Sequence, residues 1–255
     1  MGQPVSMQEP GKLRTVARGP EDGAAVESAA GAPTRLGSYL RRLREGYGYT
    51  LRKVEERANA LGEAIDNSQL SRFEKGKAVP SFEKLRALAR VFNVPVQNFS
   101  DLLDLEEFQH LKPRGSDYAE LVKAGVEWFA RGEYGRAFVT HERALEVAHA
   151  EEDDEVAGEM IAEARGRMAV ALKALGKLYM AEKELREILK HRSDLKARTR
   201  LRILLQLSYL YRELNDLYLA SVLARECLQL ARQDSDQLTE AGVLNTLGNI
   251  EHDDG

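Results

Sequence analysis

The second half of the chain repeats itself. Gly125, Trp128, Gly132, Tyr134, Ala137 and Ala144 recur in register as Ala169, Leu172, Gly176, Leu178, Ala181 and Ile188, and again as Ser208, Tyr211, Asn215, Leu217, Ala220 and Cys227. A fourth start spans Leu244 to Ile250, with Gly248 in the first slot, and successive starts are 44, 39 and 40 residues apart. Recurrence at near-constant spacing implies units that stack and bury their apolar faces on their neighbours, so residues 118–255 form an array.

The 255-residue chain is rich in Ala, Leu, Glu and Arg and poor in aromatics, which favours an ordered helical protein of one or two domains. No apolar run approaches the roughly 20 residues that cross a bilayer, and residues 1–34, broken by Gly and Pro, hold no apolar core of a signal peptide, so a cytoplasmic protein is expected. That stretch reads as a flexible arm in which Lys12, Arg14 and Arg18 are candidate phosphate contacts. The lone Cys227 excludes an internal disulfide, and the five histidines lack metal-ligand spacing. Charge is divided: residues 35–101 carry 13 Lys+Arg against 8 Asp+Glu, and residues 102–255 carry 21 against 29. The basic module suits a polyanionic partner, which the acidic remainder would repel.

Within the basic module, Asp66 to Gly76 reads as a short helix between two turn signals. Asp66 caps its start, Leu70 and Phe73 lie on its buried stripe, and Gly76 suits a left-handed stop. Asn67, Ser68, Gln69 and Arg72 then point outward. Amides near the first turn of an exposed helix can pair with adenine edges, and Arg with guanine or phosphate, so this is a candidate DNA-reading helix. The alternative is a solvated polar face closed by a capping box of Asp66 with Gln69.

Four more helices surround it. Leu36, Leu40 and Leu43 mark the first, stopped by Gly46 and Gly48; Thr50 caps the second, Leu51 to about Ala60, with Leu51, Val54 and Ala58 inward. Leu61 to Ile65, with Gly62, makes the turn before Asp66. Ser81 caps a fourth helix with Leu85, Leu88, Ala89 and Phe92 inward and Asn93 at its end, and a fifth is expected from Pro95, with Phe99 and Leu102 inward.

Leu36-Gly37, Leu40, Leu43, Arg44, Thr50, Val54, the run Leu70 to Gly76, Pro80, Leu85 and Ala89 together resemble the lambda-repressor-like (XRE) helix-turn-helix family over residues 35–102. The resemblance implies a five-helix DNA-binding domain whose second and third helices form the helix-turn-helix, and an ion pair of Arg44 with Glu74 that ties the reading helix to its scaffold. It implies base or phosphate contacts from Asn67, Ser68, Gln69 and Arg72, and backbone contacts from Lys75, Lys77 and Arg52. The chain departs from the family in a connection some five residues longer before the third helix, and in Glu55 where a small residue is usual. These leave the crossing angle of the two helices open.

The repeat slots resemble tetratricopeptide repeats, in which small residues let two antiparallel helices of a hairpin approach while large ones fill the gap. The fold class implied is all-α, the five-helix domain followed across a linker at 103–117 by a tetratricopeptide-like α-solenoid over 118–255: three repeats and the first helix of a fourth. The wider spacing implies longer helices than usual. His141, standing where a large apolar residue is usual, reads as a packed histidine rather than a ligand, and Cys227 as packing. The array ends at Gly255 with its last helix unpartnered, which implies another subunit that covers it, a fragment of a longer chain, or a natural truncation. On the groove lined by the first helix of each pair we place Lys173, Gln206, Tyr209, Arg212, Asn245 and Asn249, suited to holding an extended peptide; a groove that binds nothing, or one used only to dimerise, is the alternative. The joined architecture is similar to the peptide-sensing regulators of the RRNPP group, which implies dimerisation and peptide binding by the repeats.

The expectation is a sequence-specific transcriptional regulator, a repressor that binds a palindromic operator as a homodimer, because one short helix touches too few bases to be selective. A protein-interaction adaptor targeted by its helix-turn-helix is the alternative. No nucleophile with a base and acid, glycine phosphate loop or HExxH helix is legible, so neither an enzyme nor a cofactor is expected.

Overall fold

In a computed structural model, residues 34–254 are described apart from 112, 114 and 192–194. The arm expected over 1–34 lies outside the described residues except for Thr34, which belongs to the first helix: its hydroxyl accepts the Gly37 amide at 3.0 Å and caps α1. The described residues form twelve helices and no strand. The basic module holds α1 (Arg35–Gly46), α2 (Leu51–Ala60), α3 (Asn67–Glu74), α4 (Phe82–Phe92) and α5 (Gln97–Glu106). The array holds α6 (Tyr118–Ala130), α7 (Tyr134–Ala148), α8 (Asp154–Ala174), α9 (Leu178–His191), α10 (Ala197–Glu213), α11 (Leu217–Gln233) and α12 (Gln237–Asp254).

The capping residues expected from sequence do the capping. Thr50, Asp66 and Ser81 each accept a backbone amide three residues on, and Asn93 ends α4 in the left-handed conformation at φ 49°. The fifth helix starts two residues later than expected. Pro95 and Val96 accept from Asn98 and Phe99 in a tight i→i+3 turn, and the regular helix opens at Gln97. Leu40, Val54, Ala58, Leu70, Leu88, Phe92 and Phe99 close the core of this head, each at most 1% exposed. Leu102, expected inward, is half-buried at its edge.

The array repeats as its sequence does. Gly132, Gly176 and Asn215 occupy the same slot after the first helix of each pair, and all three adopt positive φ, of 79°, 75° and 61°. Ala137, Ala181 and Ala220 are buried where the paired helices meet. The 21-residue α8 and the 17-residue α10 and α11 account for the wide spacing of the repeats.

The two modules share α5. Phe99 in its middle belongs to the head core and Leu105 at its end to the core of the array. Phe108 then packs so closely on α7 that a Cβ on Gly135 would lie 2.2 Å from its ring. Arg35 of α1 forks onto Glu142 of α7 and lies over Phe138, and Lys183 of α9 lies over Tyr39 of α1. The head therefore rests on the second helices of the first two pairs.

Candidate nucleic-acid interface

The third helix is held at its inner end by an ion-pair fork. Arg44 Nε lies 2.6 Å from Glu74 Oε1 and Nη2 lies 3.0 Å from Oε2, while Nη1 donates to the Tyr49 carbonyl at 3.1 Å. Both side chains are largely buried, so a bidentate, oriented contact replaces the water each charge gives up. Gly37 completes the seat. A Cβ there would meet the carbonyl oxygens of Phe73 and Glu74, each at 2.7 Å, so only glycine lets α1 approach the end of α3 this closely.

The long connection before α3 is anchored rather than slack. Gly62 turns it at φ 77°, Ile65 plugs the core at 2% exposure, and Glu63 binds Arg90 of α4 at 3.2 Å. Glu55 stays half-buried beside α3, where its Oε2 accepts from Asn67 Nδ2 at 2.9 Å. The residue that departs from the family pattern thus holds one of the candidate reading residues.

On the outward face Asn67, Ser68 and Arg72 are exposed and Gln69 is half-exposed. The capping box forms only in half: Asp66 accepts the Gln69 amide at 2.7 Å, but the Gln69 side chain turns away and its Oε1 accepts from Lys84 of α4 at 2.7 Å. The Gln69 amide and the Ser68 hydroxyl hold the Asp66 carboxyl below its ordinary range. Carboxylates only accept and ammonium groups only donate, so Glu55 and Lys84 fix both side-chain amides: Asn67 presents its carbonyl oxygen and Gln69 its NH2 group. Arg72, Lys75 and Lys77 are exposed cations with no side-chain partner among the described residues, and Arg52 is paired only loosely with Glu56 at 3.9 Å. Val79 and Phe82 beside them are 70% and 66% exposed.

A family model described as a helix-turn-helix domain matches residues 35–102. The head is a helix-turn-helix domain. The helix-turn-helix domain spans about a quarter of the chain, and no curated protein matches the sequence. Among solved structures, that of Bacillus thuringiensis PlcR with the peptide PapR7 and DNA is 13% identical, with 86% of this chain and 87% of that one covered, at a TM-score of 0.40. The Rap conjugation gene regulator of plasmid pLS20 with the Phr* peptide is 14% identical over 88% of this chain and 60% of its own, at 0.46. The Streptococcus dysgalactiae pheromone receptor Rgg2 is 13% identical over 84% and 99%, at 0.34. At this level of superposition the ligands of those structures do not transfer to this chain.

The candidate groove residues behind the helix-turn-helix domain sit on α8, α10 and α12, away from the helices that carry the head. Lys173, Gln206 and Tyr209 gather around a cavity of about 130 Å³, with the Lys173 ammonium 6.0 Å from the Tyr209 ring centre. Lys173 is also paired with Glu213 at 2.6 Å, and Arg212 with Asp253 of α12 at 2.6 Å, so both cations already tie helices together. Asn245 is exposed and Asn249 half-buried. Cys227 is packing, as expected: it is fully buried, and burial pushes its thiol up to about 11. Two groups of side chains escaped the sequence reading. One is Lys84 together with the role of Glu55, whose contacts orient the reading amides; the other is a larger cavity around His141, which no linear pattern marks because its walls come from four helices.

Proposed function

We propose that the protein is a sequence-specific DNA-binding transcriptional regulator, a dimeric repressor on a palindromic operator, whose repeats receive a peptide or protein partner. The observation that carries the reading is the clamped third helix. Arg44, Glu74 and Gly37 fix its angle, while Asn67, Ser68, Gln69 and Arg72 face outward as a set of hydrogen-bonding groups of the size a major groove admits. Lys75, Lys77 and Arg52 flank that set as phosphate contacts. Dimerisation supplies the selectivity a single short helix lacks, with two heads about one turn of DNA apart. Among the described residues no helix is long and apolar enough to cross a membrane, and a DNA-bound regulator works in the cytoplasm.

Selection of bound duplexes from a random pool by the full chain tests this. A two-fold symmetric site is expected, with half-sites about 10 base pairs apart centre to centre. Enrichment of no sequence above background would leave the adaptor as the better account.

A further inference from the structure

A cavity of about 330 Å³ opens between α6, α7, α8 and α10. Its floor is His141, only 2% exposed, and it is there because Gly125 has no side chain: a Cβ on Gly125 would fall 2.2 Å from the imidazole Cε1. The α8 wall is left open at Gly166, where an added Cβ would come only into ordinary contact with Ile203 and Gln206. Two buried polar atoms of the lining, His141 Nδ1 and Gln206 Oε1, have no hydrogen-bond partner. Buried polar groups in folded proteins are nearly always paired, so two such atoms in one cavity indicate a site built for something else to complete.

The charges define what completes it. Glu163 and Arg167 satisfy each other at 2.8 Å across one turn of α8. Arg202 is then the cation in the lining without an ion-pair partner among the described residues. Val126, Phe129 and Val170 supply an apolar wall. A guanidinium for a carboxylate, an amide oxygen for an N–H group and an apolar wall for a side chain lie within one small space.

We propose that this cavity binds an N-acylated apolar amino acid with a free carboxylate, either as a small molecule or as the last residue of a peptide. The carboxylate lies on Arg202, the acylated N–H donates to Gln206, and His141 pairs with the remaining polar atom of the ligand. The proposal rests on the ligand-receiving role given to the repeats above and narrows it to an end group. It also adds His141 and Arg202 to the groove, from which the sequence pattern had left them out.

The test uses the full chain with N-acetyl-leucine, N-acetyl-leucinamide and a random heptapeptide pool in free-acid and C-terminally amidated forms. Affinities are measured by calorimetry and the His141 ring followed by NMR, its signals assigned with His141→Gln. Expected are at least tenfold tighter binding of acids than of amides, movement of the His141 signals on binding, and loss of that preference in Arg202→Gln. Val126→Trp, at an exposed position of the wall, is expected to block binding by filling the space. N-acetyl-leucine binding as tightly as the best peptide identifies a small-molecule ligand; peptides binding much more tightly identify a peptide end; either supports the assignment. Acids and amides binding alike, or Arg202→Gln binding like the parent, overturns the end-group assignment and leaves the sensing role standing. Binding by none of these probes overturns the end-group assignment and, with it, the peptide-receiving reading of the repeats.

Discussion

Lys177, immediately before α9, places its ammonium 3.2 Å from the carboxylate of Asp101, which is only 1% exposed on α5 of the helix-turn-helix domain. Gln97 donates to the same carboxylate at 2.7 Å, and Asp104 pairs with the same ammonium. Burial works against the Lys177 charge, and the hydrogen bonds of Asp104 and Asp101 outweigh it, so its pKa stands above the ordinary lysine value. The contact joins head and array through opposite charges. It makes the angle between them a property of named side chains.

Lys177→Met leaves the Asp101 carboxylate buried with only Gln97 as partner. The expected cost is about 1 to 3 kcal/mol, read as a lower midpoint in urea denaturation at neutral pH. Because the folded pKa of the lysine is raised, the contact contributes fully below the unfolded value and is lost as pH rises through the folded one. The difference between parent and variant therefore shrinks at strongly alkaline pH.

Gly37→Ala is expected to abolish DNA binding although every outward residue of α3 keeps its identity. The new methyl group would lie 2.7 Å from two backbone oxygens, and α3 must shift to admit it. A destabilisation of about 1 to 3 kcal/mol is expected from overpacking, with loss of binding at temperatures where the head remains folded by circular dichroism.

Reading and positioning residues should separate on DNA. Gln69→Ala is expected to cost about 1 to 3 kcal/mol at one base position, whereas Lys77→Ala weakens all sequences alike and lowers the salt slope by about 1. Lys84→Met frees the carbonyl end of Gln69 and Glu55→Ala frees the amide end of Asn67, so each should change the preferred base at the position its neighbour reads. Selection from random duplexes with each variant measures this; unchanged preferences in both would show that the amides reorient on DNA.

Acid should unfold the array through His141. Desolvation, with Arg167 adding to it and Glu163 opposing, lowers the imidazole to about 4, so it is neutral when folded. Between about 4 and the ordinary 6.5 the unfolded chain binds the extra proton. Stability is thus complete above about pH 6.5 and falls as pH drops toward 4, by a few kcal/mol at most. His141→Gln should flatten this slope in melts between pH 7 and 4.

Much of the head was readable because its signals are local. A cap such as Thr50 or Asp66 acts on an amide three residues away, and Asn93 stops α4 through its own backbone conformation, so a short window holds all the information. The Arg44–Glu74 fork, 30 residues apart, came only from the family resemblance, and the structure bears it out. In the array the slots Gly125, Ala169 and Ser208 showed where hairpins close. The start of α5 was misplaced by two residues because proline permits a helix to begin without requiring it.

What the chain alone determined is the helices of the head, the caps Thr50, Asp66 and Ser81, and the recurrence of the array, because helix periodicity and capping are written in residues three or four apart. What only the tertiary structure decided is which polar groups remain free. Asn67 is turned by Glu55, Gln69 by Lys84, the groove cations Lys173 and Arg212 are engaged by Glu213 and Asp253, and His141 is left unpaired against Gly125. These partners meet across helices, and hydrogen bonds between side chains depend on distances that packing sets after the helices have formed.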